Sequence, residues 1–262
     1  MSVQFDAKAA TSLERSYRTP DVAQQRAETL ARLAPETGGH MLDVGCGPGF
    51  LVREMAEAVG PDGRAVGIDT SRQMLDLAER RIAEIPQAEV MEARVEAMPF
   101  TDAEFDAASC VQVLLFVPDA AAALGELHRV LKPDGRLAVI ETDWRGAIVH
   151  ADDDALSRRM FAAWDAAQVN PNLPVRLKPM LEAAGFGDVS VASLALLNTE
   201  FGVENYSSGM LRVIANHAKR QGLASEAEAT GWIDEMKAKS AAGAYFFCVN
   251  RFLFLASKTA AG

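Results

Sequence analysis

Along this chain the spacing of apolar residues changes period repeatedly, and the changes fall at glycines and prolines. From Val22 to Leu33 the apolar positions Val22, Ala23, Ala27, Leu30 and Leu33 recur at helical spacing. Asp21, just after Thr19-Pro20, is placed to cap that helix, and Pro35 with Gly38-Gly39 stops it. His40–Val44 is a short apolar run that predicts a buried strand. A glycine-rich turn follows, and then the amphipathic run Phe50–Val59. After the turn Gly60-Pro61-Asp62-Gly63, Arg64–Asp69 reads as a second buried strand, and Thr70-Ser71 caps a helix from Arg72 to about Ile85. Strands are expected again at Glu89–Ala93, from Phe105 into a loop near Leu114, and at Arg136–Glu141. Between the last two lies a helix, Ala120–Leu131, closed by Lys132-Pro133-Asp134-Gly135. Strands alternating with helices of about a dozen residues predict parallel βαβ units.

Past Trp144 the rhythm loosens. Asp152–Gln168 and Leu177–Ala184 look helical, and Asp188–Thr199 alternates like a sixth strand. Two helical stretches, Tyr206–Gln221 and Ser225–Ala241, follow with no strand between them, before a last strand at Ala244–Ser257. Residues 202–243 are therefore expected as a helical insertion between the last two strands, within one domain spanning 1–262.

Composition narrows the partners. An apolar share of 49% supports a sizeable core. Acids outnumber bases 36 to 26, a net charge of −10 with no long basic run, which disfavours nucleic acid. The N-terminus lacks the apolar core of a signal peptide, and no stretch has the length of a membrane span, so no membrane insertion is expected. Cys46, Cys110 and Cys248 are far apart, with no Cys-x-x-Cys pair; a reduced, cytoplasmic setting is expected. No His-x-x-x-His appears, and Asp152-Asp153-Asp154 looks like a helix cap, so no metal is expected.

The candidate chemistry starts at Asp43-Val44-Gly45-Cys46-Gly47-Pro48-Gly49. Glycines between a strand and a helix let a ligand approach backbone that a Cβ would shield, beside the free N–H groups of a helix N-terminus. A dinucleotide fingerprint places its glycines at relative positions 1, 3 and 6; here they fall at 1, 3 and 5, and Phe50 fills the sixth. A Walker loop is excluded because no Gly-Lys-Ser/Thr follows. Asp69, ending the second strand beside this turn, is placed to accept both hydroxyls of a ribose.

These residues resemble the class I S-adenosylmethionine (SAM) dependent methyltransferases. The resemblance runs from about Tyr17 to Trp144 and takes in Glu96-Ala97-Met98-Pro99-Phe100, Phe105-Asp106, Pro118-Asp119 and Leu127–Gly135 in order. The chain looks like the group that includes the ubiquinone/menaquinone C-methyltransferases and many natural-product methylators. The resemblance implies a Rossmann-like fold with a seven-stranded, mostly parallel sheet and helices on both faces. It also implies transfer of the SAM methyl group to a small-molecule acceptor. The expected cofactor-binding set is Tyr17, Asp43, Gly45, Cys46, Gly47, Gly49, Asp69, Thr70, Met74, Val95, Glu96, Cys110 and Gln112. Relatives often carry an Asp near strand three for the adenine amino group, but Arg94 stands there and cannot accept that bond. Adenine is therefore expected against the backbone near Val95. Relatives also carry His before Pro118-Asp119, where this chain has Leu115-Phe116. The Asn/Asp-Pro-Pro-Tyr/Phe motif of amino methylators of adenine and glutamine is missing.

Each candidate has a plainer alternative. Asp43 is expected to orient the glycine turn or a water at the SAM ammonium. Cys46 and Cys110, expected side by side at strand ends, suggest thiol chemistry, but a free Cys is usually a small buried hydrophobe. His150 and His217 are candidate bases, although a lone His is usually structural. Trp144 is a candidate for stacking on the acceptor, or a rim hydrophobe. Tyr17 and Arg26, in an N-terminal lid over residues 1–35, are expected to close over SAM, and the insertion to roof the acceptor or to form a homodimer contact. Two rivals remain at this stage, a nicotinamide dehydrogenase and a SAM-binding regulator without activity.

Overall fold

The computed structural model describes residues 14–259; the start of the expected lid, residues 1–13, lies outside them. After one helical turn at 14–17, helix α1 (Pro20–Leu33) opens on a proline, whose missing N–H has no helical partner to lose there. Then come β1 (His40–Val44), α2 (Phe50–Val59), β2 (Arg64–Asp69), α3 (Arg72–Ile82), β3 (Ala88–Glu92), β4 (Phe105–Val111) and α4 (Ala120–Val130). The second half holds β5 (Leu131–Val149), α5 (Asp154–Ala166), α6 (Pro174–Ala183), β6 (Phe186–Asn198), α7 (Tyr206–Arg220), α8 (Glu226–Ala241) and β7 (Phe247–Lys258).

The seven strands form one sheet in the order β3-β2-β1-β4-β5-β7-β6. The pairings through β5 are parallel, and β7 runs antiparallel to both β5 and β6. The strand order reverses at β1, flanked by β2 and β4, so the carboxyl ends of β1 and β4 open a crevice where ligands bind in such sheets.

Strand alternation sorts the core onto two faces. Leu42, Val44, Ile68, Cys110 and Val139 pack under α4 and α6. Met41, Ala65, Ala107, Ile140 and Leu253 pack under Leu33 of α1, Val52 and Met55 of α2, and Leu75 of α3. A third cluster joins Trp144, Met160, Phe161, Leu211, Trp232 and Phe247, and fastens α7 and α8 to α5 and the ends of β5 and β7. Within it the Trp232 indole N–H donates to Ser157 Oγ at 2.9 Å.

β5 differs most from expectation. Instead of Arg136–Glu141 it runs from Leu131 to Val149, absorbing the turn at Lys132–Gly135. Its register with β4 jumps from Phe105↔Leu131 to Ala107↔Arg136, with Asp134 at φ 63°. Against β7 it jumps from Asp143↔Asn250 to Ile148↔Cys248, so residues 144–147 bulge out and carry Trp144 into the third cluster. Long-range pairing with β7 extends the strand, and no local pattern reports that.

Candidate functional site

The glycine turn is tied to the neighbouring strand, because the N–H groups of Gly45 and Cys46 both donate to the Ile68 carbonyl, at 2.7 and 2.9 Å. The three glycines meet different constraints. A Cβ on Gly45 would strike Val113 Cγ2 at 2.2 Å, and one on Gly49 would strike Ala78 Cβ of α3 at 2.7 Å. Gly47, at φ 51°, meets only the Tyr17 hydroxyl end, at 2.9 Å. Gly47 is thus the glycine whose bare backbone faces the roof, while Gly45 and Gly49 allow close packing.

Asp69 fastens this turn to β2. Its Oδ2 accepts the Gly47 N–H at 2.9 Å and its Oδ1 the Ser71 N–H at 2.8 Å. Burial raises its pKa, opposed by those N–H groups and that of Thr70. A carboxylate has about four lone-pair sites, so acceptor capacity remains for a ribose hydroxyl. Beside it Ser71 caps α3, exposed Thr70 precedes it, and Met74 is buried in the first helical turn. Asp43 does not bond to the glycine turn. Its Oδ1 accepts from Ser109 Oγ at 2.5 Å across the β1–β4 register, and burial pushes its pKa up to about 7.

The roof is built on Phe50, the residue that displaced the sixth-position glycine. Tyr17 stacks on it with centroids 6.1 Å apart and planes at 4°. The Arg26 and Arg81 guanidinium carbons lie 4.8 and 3.5 Å from its centroid. Arg26 also donates to the Tyr17 carbonyl and pairs with Glu54 at 3.0 Å, so α1 clamps Tyr17 over Gly47. Between β3 and β4, Val95 and Met98 are buried apolar residues, while Arg94 turns to solvent and pairs with Glu96 at 2.7 Å. A surface depression of about 880 Å³ between α2 and α3 is lined by Arg53, Glu57, Arg80 and Glu84 and shares Arg81 with the roof.

At the far end of the cleft lie Gln112, one of the expected cofactor-binding residues, and Glu141 and Arg251, which the sequence pattern did not single out. Glu141, fully buried midway along β5, accepts the N–H groups of Val113 and Leu114 on Oε1, at 3.2 and 2.7 Å, and its Oε2 has no partner. Burial pushes its pKa up to about 8. Gln112, at φ 58°, spends its side chain on β5, donating to the Ile140 carbonyl and accepting from Thr142 Oγ1. Arg251 of β7 is buried, with its guanidinium 4.7 Å from the Tyr206 ring centroid and Nη1 donating to Gln25. A charged residue inside an apolar strand was the available signal for Arg251; for Ser109 and Gln25 there was none.

One expectation is corrected. Cys46 and Cys110 are not side by side: Cys46 packs with α2 on one face of the sheet and Cys110 in the cluster on the other. Burial raises both thiol pKa values, so neither is a ready thiolate. His150 is exposed, with Nδ1 2.7 Å from the Ala244 carbonyl, at the junction between α8 and β7. His217 packs its ring on Trp164 with centroids 5.6 Å apart and bonds the Ala163 backbone of α5. Neither histidine is brought to Asp43, Asp69 or the glycine turn. Trp144 is 4% exposed and meets Trp164 edge-on at 6.3 Å. Among the described residues no helix is long and apolar enough to cross a membrane, and no three metal-ligating groups gather.

A Rossmann-like sheet with a glycine turn, a ribose-type acid and no phosphate loop defines a nucleoside-binding enzyme. Residues 42–139 match a family described as a methyltransferase domain. The chain is 32% identical over 195 residues to a demethylmenaquinone methyltransferase of Lactobacillus johnsonii, covering 65% of this chain and 77% of that one. It is 31% identical over 256 residues to an uncharacterized 37.1 kDa protein in transposon TN4556 of Streptomyces fradiae, covering 97% and 70%. In fold it is similar to Haemonchus contortus phosphoethanolamine N-methyltransferase 2 in complex with SAM, with a TM-score of 0.65, 20% identity, and 98% and 58% of the two chains covered. The chain belongs to the class I SAM-dependent methyltransferases. It transfers the methyl group of SAM to a small-molecule acceptor and releases S-adenosylhomocysteine. The residues present fit SAM: an acid with free lone pairs, a Cβ-free approach at Gly47, and apolar walls without a phosphate cradle.

Proposed function

We propose that Asp69 holds the ribose hydroxyls and that Gly47 passes under the methionine part, with Asp43 facing the ammonium. The observation carrying this is the bond from the Gly47 N–H to Asp69 under Tyr17, which couples turn, acid and roof in one unit. Bound SAM supplies a methyl group activated on a sulfonium. Everything else falls to the chain: alignment of the acceptor at near-attack distance and exclusion of water. In this reading Met74, Val95 and Met98 wall the adenine, with backbone from Val95 to Glu96 reading its edge. Thr70, Gly45, Cys46, Gly49, Cys110 and Gln112 shape the backbone around the cofactor, and Tyr17 closes over it.

Residues 1–262 act as one domain, with 1–35 as lid and 202–243 as cap over a small, partly apolar acceptor. Trp144 lines the acceptor end; His150 and His217 hold the cap instead of moving protons. The charge of −10 supports an acceptor other than nucleic acid, and three free cysteines support a cytoplasmic setting. A homodimer, if formed, would use the outer faces of α7 and α8.

The test combines S-adenosylhomocysteine release across a panel of small acceptors with SAM calorimetry on Asp69→Ala. The variant is expected to bind SAM more weakly by roughly 1–3 kcal/mol, through two hydroxyls left without their acceptor. A folded variant with wild-type affinity sinks the ribose assignment.

A further inference from the structure

Arg251 stands apart from every other arginine near the site. It faces Thr142 of β5 and Leu194 of β6 in register, on the sheet face that carries Leu253, Ile140 and Met41, and therefore also Asp43. Only 5% of it is exposed. Two roof elements converge on it, α1 through Gln25 and α7 through the Tyr206 ring. Its charge also reaches Tyr17, whose hydroxyl feels Asp69 and Asp43 from the other side.

What it lacks is a counter-ion. Among the described residues no carboxylate forms an ion pair with it, whereas Arg26, Arg81 and Arg94 each have one. Among the described residues its one side-chain hydrogen-bond partner is Gln25, a neutral acceptor that takes Nη1 and leaves the charge unbalanced. Nε is buried with no partner, and Nη2 has none among the described residues. Nε and Nη2 form the side-on fork of a guanidinium, the edge that takes two oxygens of a carboxylate or phosphate. Glu141 is the acid whose ionisation Arg251 favours, but the two form no ion pair: its Oε1 serves Val113 and Leu114, and its Oε2 is left without a partner. A permanently charged group buried without a partner is unfavourable unless something else completes it.

We propose that the Nε/Nη2 edge of Arg251 binds an oxyanion of the methyl acceptor, a carboxylate or a phosphate, and so selects anionic acceptors. This rests on the proposed reading of residues 202–243 as a cap over the acceptor, since Tyr206 of that cap meets Arg251. Tyr206 then holds the guanidinium plane, and Gln25 sets its rotation.

The experiment is calorimetry with salicylate, phenyl phosphate and the neutral salicylamide, with and without saturating S-adenosylhomocysteine. Wild-type protein is expected to bind at least one anion about tenfold or more tightly than the amide, as a bidentate charge-assisted pair should. Whichever anion wins identifies carboxylate or phosphate as the source. Arg251→Met is expected to erase the preference, and Arg251→Lys, which keeps the charge without the fork, to retain only part. Gln25→Glu offers a second route that leaves Arg251 in place. It supplies a counter-ion from within and should also erase the preference. S-adenosylhomocysteine affinity should change less than about threefold in all three variants, small beside the tenfold effect expected of a lost charged contact. Equal binding of acids and amide by the wild type, or no binding of any probe at millimolar concentration, overturns the proposal. So does a preference that survives Arg251→Met. A collapse of cofactor affinity in the variants also overturns it, by assigning Arg251 to the carboxylate of SAM. Failure of the wild type to bind S-adenosylhomocysteine would break the cofactor-site reading instead, and the acid-versus-amide comparison without it still decides Arg251.

Discussion

Asp43 and Glu141 are buried acids that keep their protons to unusually high pH, about 7 and about 8 against ordinary values of 3.8 and 4.5. Burial is the main cause for both, offset in part by the Ser109 hydroxyl for Asp43 and by backbone N–H groups for Glu141. An unfolded chain ionises both near pH 4, so between about 4 and 8 the native state binds more protons. Stability of the cofactor-free protein should therefore be highest at the acid end of that window and fall as pH rises. Asp43→Asn should flatten the fall up to about pH 7, and Glu141→Gln the part reaching about pH 8. Urea midpoints measured across pH without SAM check this; unchanged slopes in both variants would mean that these carboxyls are ionised and solvated in the native state. Asp43 was legible in the sequence as an acid inside an apolar strand. Its partner Ser109 was not, because only the β1–β4 register brings the two together.

At the scale of elements, α7 shows a polar residue used in packing. His217 suggested a base in the insertion, yet its ring stands on Trp164 and bonds the Ala163 backbone, a brace from α7 to α5. Arg212 and Asn216 line an outer groove shared with Lys219, Glu226 and Asp234, on the side where α7 meets α8. Of the polar residues that marked this insertion, Tyr206 is the one directed at the site, against Arg251. His217→Ala should therefore lower stability by about 1–2 kcal/mol through lost helix packing. It should leave the pH profile of turnover unchanged in shape. A variant with wild-type melting but a pH-dependent loss of turnover would restore the proton-transfer role. Helical period showed that residues 206–220 form a helix; it could not show which polar side faces the sheet, because both sides of α7 meet other elements.

Across the whole molecule the apolar clusters divide the labour. Those under α1–α4 and α6 support the crevice at β1 and β4, while the cluster of α5, α7 and α8 anchors the insertion. Cofactor binding should thus slow hydrogen exchange at residues 45–49, 69–74 and in α1, and leave α8 nearly unchanged. Equal protection of α8 by S-adenosylhomocysteine would mean that cap and cofactor site open as one unit. The chain by itself determined the alternation of strands and helices, the glycine turn, the acid at Asp69 and the place of the insertion. These depend on local period, turn chemistry and short spacings that neighbouring residues carry. The tertiary structure alone decided the reach of β5 along β7, the separation of Cys46 from Cys110, the use of Phe50 as a platform for the roof, and the burial of Arg251 with one edge unpaired. Each of those depends on which distant strand lies alongside and which face the alternation turns inward, and a one-residue change of register would have reversed it.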